Sequence, residues 1–189
     1  MSAETTPAST WGEAGELAVV VHGTPAPQGS KTARPIYRGR DAGRVFTGRV
    51  AQQESSGAVK PWRQAVKWAA LEATDHAGAL EGALEGPLHV TVTFTVARPK
   101  GHWRTGRNAG RLRDAAPMRP AVKPDLDKLV RSTLDGLGEA GVWTDDAQVV
   151  ELTALKLYPS PGVDAVPLPS AIDTLPIPGA VIRVREVTQ

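Results

Sequence analysis

Four carboxylates stand in two short clusters along the chain. Asp125 and Asp127 lie in the segment KPDLDKLV, and Asp145 and Asp146 lie in VWTDDAQVV. Carboxylates without cysteine or ligand-spaced histidine favour a hard cation, Mg²⁺ with Mn²⁺ as a substitute, over zinc. Such a cation supports phosphodiester hydrolysis, because it lowers the pKa of bound water and stabilises the leaving oxygen.

The two clusters can meet only if the chain between them turns back. Apolar residues at helical spacing predict a helix over residues 125–137. From Asp127 to Leu137 that helix advances about 16 Å at about 1.5 Å per residue. The segment from Gly138 to Asp145 extends to roughly 26 Å, so we expect the second cluster to return beside the first.

Each acid also has an ordinary structural explanation. Asp125 suits an N-cap, and Asp127 suits a first helical turn, where the helix dipole favours an acid. Asp145 and Asp146 suit a turn that precedes a strand. These explanations stay open beside the metal-binding one.

Two basic residues follow the first acid pair on the predicted helix. Lys128 and Arg131 lie three and four residues after Asp125 and Asp127, so each can neutralise an acid or contact a phosphate. Alternatively, Arg131 and Asp135 form a surface pair at i,i+4 spacing.

Composition limits the available chemistry. The chain has 189 residues, 41% of them hydrophobic, and no cysteine. One domain is expected, without a disulfide framework, a thiolate zinc site or a cysteine nucleophile. The first fifteen residues carry acids rather than the pattern of a signal peptide, and the apolar runs are short. We therefore expect a soluble cytoplasmic protein without a membrane partner.

Basic charge is concentrated in two segments. The net charge is +2, yet residues 98–123 hold eight basic residues against Asp114 alone, and residues 28–50 hold six against Asp41. Both segments are rich in Gly and Pro, which predicts loops that present cations to a polyanion, although solvated loops are the plain alternative. The candidate nucleic-acid contacts are Lys31, Arg34, Arg104, Arg107, Arg111, Arg113, Arg119 and Lys123.

Hydrophobic periodicity gives the remaining elements. It predicts strands at 17–22, 88–96, 149–158 and 180–187 and a further helix at 61–79. The order β-α-β-α-β-β predicts an α+β single domain over residues 16–189, in which a small mixed sheet of about four strands is covered by two main helices. Residues 1–15 are expected to be a disordered tail, and the Pro-rich stretch 159–179 an irregular insertion within a hairpin connection.

A longer motif connects the two acid clusters. The segment 123–158 combines DLD at the start of a helix, LDGL within it and DDAQVV before the next strand, with 21 residues from Asp125 to Asp146. It closely resembles the signature of the RusA-type Holliday junction resolvases, which are small dimeric endodeoxyribonucleases of bacteria and prophages. The GTPAPQGSK segment after the first strand and the order of elements are similar to that family as well.

This resemblance implies a site and an activity. Asp125, Asp127 and Asp146 match the family's essential metal-binding carboxylates, and Asp145 lies beside them as a supporting acid. The resemblance implies a Mg²⁺-dependent homodimer in a bacterial or phage-infected cell that resolves four-way DNA junctions by paired nicks.

Two positions depart from the family pattern. Lys128 stands where the family usually has Asn, and Arg131 stands where it commonly has Lys. Both residues are candidates to balance the charge that develops on the phosphate.

Two other functions remain open. One is a metal-dependent nuclease that acts on other branched or single-stranded DNA. The other is a non-catalytic DNA-binding protein whose acids are caps and turns.

Overall fold

A computed structural model of the chain describes residues 15–29, 31–39, 43–54, 57–77, 83–159 and 173–187. In chain order these residues form β1 (Glu16–His22), β2 (Lys31–Arg38), β3 (Val45–Glu54), α1 (Val59–Ala77), β4 (Leu88–Thr95), α2 (Leu126–Ala140), β5 (Val149–Leu157) and β6 (Gly179–Glu186). Short 3-10 turns lie at Lys100–His102, Gly106–Asn108 and Asp146–Gln148. The predicted α+β class with a mixed four-stranded sheet and two helices is confirmed.

The inner strand β4 carries the clearest sequence pattern. Its residues Leu88, Val90, Val92 and Phe94 are fully buried on one face of the sheet. The strand order is β1-β6-β4-β5, in which β4 pairs antiparallel with β6 and parallel with β5. Because parallel neighbours need a crossover, α2 runs back along the sheet between β4 and β5.

The two helices pack against each other over this sheet. Trp62 of α1 is buried, and its Nε1 donates to Thr133 Oγ1 of α2 at 3.1 Å. The helices approach each other closely at Gly136, where a Cβ would stand 2.9 Å from Cβ of Val66. Arg63 pairs with Asp135 across the same interface. The absence of a side chain at Gly136 therefore allows the contact that positions α2.

The first basic segment is not a loop. Strands β2 and β3 pair antiparallel as a separate two-stranded sheet, with a register shift between Pro35 and Tyr37. The predicted order β-α-β-α-β-β holds for the main sheet and its two helices, but it omits these two strands. Pro35 and the turn glycines interrupt the alternation that marks a strand in sequence.

The carboxyl-terminal connection also differs from the prediction. Strands β5 and β6 do not form a hairpin, because β4 lies between them. Apart from Gly15, the tail expected at 1–15 lies outside the described residues, as does most of the stretch 159–179. Among the residues described, no helix is both long and apolar enough to cross a membrane.

Candidate metal centre and nucleic-acid interface

Asp125 and Asp127 stand at the start of α2. Asp125 occupies the N-cap position, yet its side chain makes no capping hydrogen bond. Its Oδ2 instead accepts a hydrogen bond of 2.7 Å from Lys128 Nζ. Asp127 is exposed in the first turn, where the helix dipole favours an acid. The side-chain capping explanation for Asp125 is wrong, and both carboxylates are accessible to a cation.

Lys128 controls the ionisation of Asp125. Its hydrogen bond and its positive charge hold the pKa of Asp125 below the usual value, with smaller contributions from Lys123 and Lys156. The same contact raises the pKa of Lys128. Exposed ion pairs are weak in water, so a divalent cation can compete with Lys128 for the same carboxylate.

Lys156 of β5 fixes the segment that leads into α2. Its Nζ donates to the carbonyl oxygens of Val122 at 2.7 Å and of Pro124 at 2.6 Å. Because β5 belongs to the main sheet, this contact ties the acid pair to the core. Sequence reasoning missed Lys156, since no local pattern marks a residue that makes its contacts more than thirty positions away.

Asp145 and Asp146 have different partners, although they are neighbours. Asp145 caps the turn Asp146–Gln148: its Oδ1 accepts from Ala147 N at 2.8 Å, and its own N donates to Gln148 Oε1 at 3.0 Å. The turn explanation for Asp145 is confirmed. Asp146 Oδ1 instead accepts from Trp143 Nε1 at 2.8 Å, a positioning contact that the sequence analysis did not find.

Helix α2 separates the two acid clusters. Asp146 Oδ1 lies 3.5 Å from the point that a Cβ on Gly138 would occupy, near the carboxyl end of α2. Asp127 lies near the other end, about 16 Å away at about 1.5 Å per residue. Accordingly, no cluster of three or more acids, histidines or cysteines that could bind a metal ion occurs among the described residues.

The expected return of the second cluster within one chain is therefore wrong. Gly141 ends α2 in the left-handed conformation, with φ of 77°. The chain then enters β5 at that end of the helix, so Asp145 and Asp146 stay there. Within one chain, Asp125 and Asp127 lie close together, and Asp146 lies far from both.

Arg131 is exposed in the first half of α2. The alternative pair between Arg131 and Asp135 is not formed, because Asp135 pairs with Arg63 of α1. That surface i,i+4 explanation is wrong. The Arg131 guanidinium remains exposed at the first part of the helix, one turn after Asp127.

The second basic segment, 98–123, is held together by its own arginines. Arg104 donates to both carboxylate oxygens of Asp114 at 2.7 Å. Arg113 Nε donates to Trp103 O at 3.1 Å. Both arginines thus use some of their N–H donors in hydrogen bonds within the segment. Arg113 is nevertheless exposed, as are the candidates Arg107, Arg111, Arg119 and Lys123.

The first basic segment places its candidates on the hairpin. Arg34 is exposed on β2. Lys31 begins that strand, and its side chain lies outside the described residues. Of the candidate cations in these two segments, Lys123 acts on the charge of Asp125.

Comparison with known proteins identifies the family to which this chain belongs. The family model described as Endodeoxyribonuclease RusA matches residues 27–164, which identifies a hydrolase that cleaves DNA internally. The chain belongs to the RusA endodeoxyribonuclease family, and the resemblance found in the sequence motif is confirmed. The chain is also 29% identical over 124 residues to the Uncharacterized protein YqaN of Bacillus subtilis (strain 168), a match that covers 66% of this chain and 82% of that protein.

Proposed function

We propose that this chain is a Mg²⁺-dependent Holliday junction resolvase that cuts four-way DNA junctions by paired symmetric nicks in recombination and repair. Membership of the RusA family supports the proposal. The observation that carries it is the exposed pair Asp125 and Asp127 at the positive end of α2, with the exposed cations Lys123 and Lys128 beside Asp125. The proposed setting is the cytoplasm of a bacterial or phage-infected cell.

The donor atoms suit Mg²⁺, with Mn²⁺ as a substitute. Asp125, Asp127 and Asp146 offer carboxylate oxygens alone, the ligands that hard cations prefer. The bound cation would supply an activated water and stabilise the leaving oxygen. Asp125, Asp127 and Asp146 would hold the cation, and Lys128 and Arg131 would balance the charge on the scissile phosphate.

A second copy of the chain completes the three-acid set. Asp146 lies at the far end of α2 from Asp125 and Asp127, so a twofold-related copy in antiparallel orientation brings its Asp146 to their side. The same rotation completes a second site, as two nicks in opposing strands require. Asp145 accompanies Asp146 as the supporting acid.

The outer strand β5 offers a surface for such a dimer. It lies at the edge of the main sheet and starts directly after Asp146–Gln148. Val150 and Leu152 on it are 59% and 48% exposed. Adjacent apolar side chains of this size on an edge strand are covered favourably by a partner copy, and the proposed homodimer covers them close to Asp146.

Exposed cations position the DNA. Lys123 precedes the acid pair, and the second basic segment adds Arg107, Arg111 and Arg119. Contacts of this type bind backbone phosphates and fix the register without reading sequence. They suit a substrate that is recognised by its shape.

The test is cleavage of a labelled four-way junction beside a linear duplex of the same sequence. With Mg²⁺ we expect paired nicks in the junction and an intact duplex. Asp127→Asn should abolish cleavage and keep junction binding. The matched control is Asp75→Asn, an exposed acid on α1, which should cut like the parent protein.

Other outcomes favour the two other functions. Preferred cleavage of flaps, forks or single strands would assign a nuclease of different substrate preference. Tight junction binding that is indifferent to divalent metal, with no cleavage of any DNA, would assign a binding protein.

A further inference from the structure

Strands β2 and β3 form a hairpin that stands apart from the rest of the fold. Within the described part of the chain, neither strand joins the main sheet or packs extensively on a helix. Residues 33–39 and 43–51 are all exposed. The eight residues of β2 span about 26 Å at about 3.3 Å per residue, so the hairpin is an arm of about that length.

The arm combines positive charge with exposed apolar surface. Residues 31–54 contain six basic residues against Asp41 and Glu54. The large apolar residues exposed on it are Ile36, Tyr37, Val45, Phe46 and Val50. A second copy of the arm would meet it with like charge, whereas a polyanion is attracted. Charge complementarity therefore selects a nucleic acid as the partner.

Two aromatic rings lie near the free end of the arm. Tyr37 and Phe46 face each other in the ladder, with ring centroids 5.9 Å apart. The guanidinium carbon of Arg44 lies 4.6 Å from the Tyr37 ring centroid. The rings are 43% and 49% exposed. Exposed rings beside cations form a surface on which nucleic-acid bases stack.

The base of the arm lies beside the start of α2. Gln28 N donates to Lys128 O at 2.9 Å, only three residues before β2 begins. Ser132 Oγ donates to Ala26 O at 2.6 Å. The segment that leads into the arm is thus fixed to the first turns of α2, and DNA bound at Asp125 and Asp127 passes close to the arm.

We infer that this arm distinguishes branched from continuous DNA: its arginines contact the phosphates of one duplex arm, and Tyr37 and Phe46 stack on bases exposed at the branch point. A continuous duplex offers these rings no base face, because unstacking a paired base costs free energy. At a branch point the stack is already interrupted. The inference takes its substrate from the proposed function, but it concerns residues outside the acid site.

The experiment measures binding of the full chain to a four-way junction and to a linear duplex without Mg²⁺, over a series of salt concentrations. The aromatic variant is Tyr37→Ala with Phe46→Ala, and its control is Trp68→Ala, an aromatic residue 65% exposed on α1. The charge variant is Arg34→Gln with Arg49→Gln. Its control is Lys60→Gln with Arg185→Gln, two basic residues exposed outside the arm.

The aromatic and charge variants should lose DNA affinity in different ways. The aromatic variant should bind the junction about ten-fold more weakly and the duplex with unchanged affinity. The charge variant should bind both DNAs more weakly, and its slope of log affinity against log salt should fall by about two units, since each lost phosphate contact removes about 0.9. Both controls should bind like the parent.

Three results would overturn the inference: unchanged binding by the aromatic variant, equal losses on junction and duplex, or a change of oligomeric state by sedimentation in either arm variant. Thermal melting checks that each variant is folded. Because binding is measured without Mg²⁺, the outcome is independent of cleavage. A parent protein that never cuts DNA removes the proposed nuclease activity, and a selective loss in the aromatic variant still supports the arm.

Discussion

The contact between Lys128 and Asp125 lowers the pKa of Asp125 and so changes the pH at which this carboxylate loses its charge. In Lys128→Met, the carboxylate loses both the hydrogen bond and the charge that lower its pKa. We expect the pKa of Asp125 to rise toward its ordinary value, measured by carboxyl NMR titration. Asp114, whose partner Arg104 is untouched by the substitution, serves as the internal control. An unchanged Asp125 titration would show that the ion pair does not persist in solution.

The sign of the corresponding stability effect follows from the lowered pKa. A carboxyl with a depressed folded-state pKa stabilises the fold at pH values above its unfolded pKa, and this contribution is lost as the pH falls through the folded value. Because Asp125 and Lys128 are exposed to solvent, the effect is small. Lys128→Met should therefore change acid stability little while it changes the titration of Asp125 clearly.

The indole of Trp143 positions Asp146. Trp143→Phe keeps an aromatic ring in the buried site and removes the hydrogen bond to Asp146 Oδ1. We expect junction cleavage to fall about ten-fold, within the range found when a group that orients a metal ligand is removed, with binding retained. Trp62→Phe is the matched control, because it also loses an indole hydrogen bond, to Thr133. Equal loss of cleavage in both variants would point to a general loss of stability.

Single residues were predictable where a local pattern marks them. Asp125, Asp127 and Asp146 stand out through the DLD and DDAQVV segments. Trp143 and Lys156 do not, because their roles depend on where their side chains reach in space. The pairing of Asp135 with Arg63 shows the same limit, since a tertiary contact replaces the local i,i+4 pair with Arg131.

At the scale of elements, the packing of α1 against α2 gives a sharp test with two glycines. Gly136→Ala would place a Cβ 2.9 Å from Val66 Cβ and 3.2 Å from Arg63 O. Despite the gain in helix propensity, we expect a loss of about 1–2 kcal/mol from overpacking. Gly138→Ala meets only ordinary contacts, 3.5 Å to Asp146 Oδ1 and 3.7 Å to Trp143 Nε1.

The comparison is made by denaturant unfolding of both variants. Gly138→Ala should be neutral or stabilised by up to about 1 kcal/mol. If Gly136→Ala is as stable as Gly138→Ala, the helix interface is looser than the described contacts indicate.

Elements with regular patterns were predictable, and the irregular pair was not. The alternation in Leu88–Thr95 and the helical spacing around Leu129 and Leu137 each bury one face, which sets the pattern. Residues 33–39 and 43–51 of the arm are all exposed, so no buried face imposes an alternation of apolar and polar residues on them. Exposed strands of this kind resemble loops in sequence.

At the scale of the whole molecule, the distance from Asp127 to Asp146 makes the dimer testable by complementation. Asp127→Asn and Asp146→Asn proteins should each be inactive. Mixed dimers should regain one intact site, because the unaltered Asp127 of one protomer meets the unaltered Asp146 of the other. We therefore expect single nicks in a four-way junction, in place of paired ones.

The control mixes Asp127→Asn with Asp125→Asn. Both substitutions lie in the same acid pair, so no intact site can form in the mixed dimer. A site built within one chain would leave both mixtures inactive, which is the outcome that would refute the composite arrangement.

The three-dimensional order of the strands could not be predicted from the sequence. The patterns of β5 and β6 are those of neighbours in a hairpin, yet β4 lies between them. The position of β6 depends on α2. Because α2 crosses over the sheet, β5 pairs parallel to one side of β4, and β6 pairs with the other side. The same crossover carries Asp146 to the far end of the helix, so one topological fact explains both wrong expectations.

In the proposed dimer, the length of α2 also sets the distance between the two metal centres. Each completed centre lies at one end of the antiparallel helices, so the two centres are separated by roughly the 16 Å of helix between Asp127 and Gly138. That span is comparable to about five base-pair steps of 3.4 Å. The spacing between the two cuts is then determined by the number of residues in one helix and not by any contact with a base.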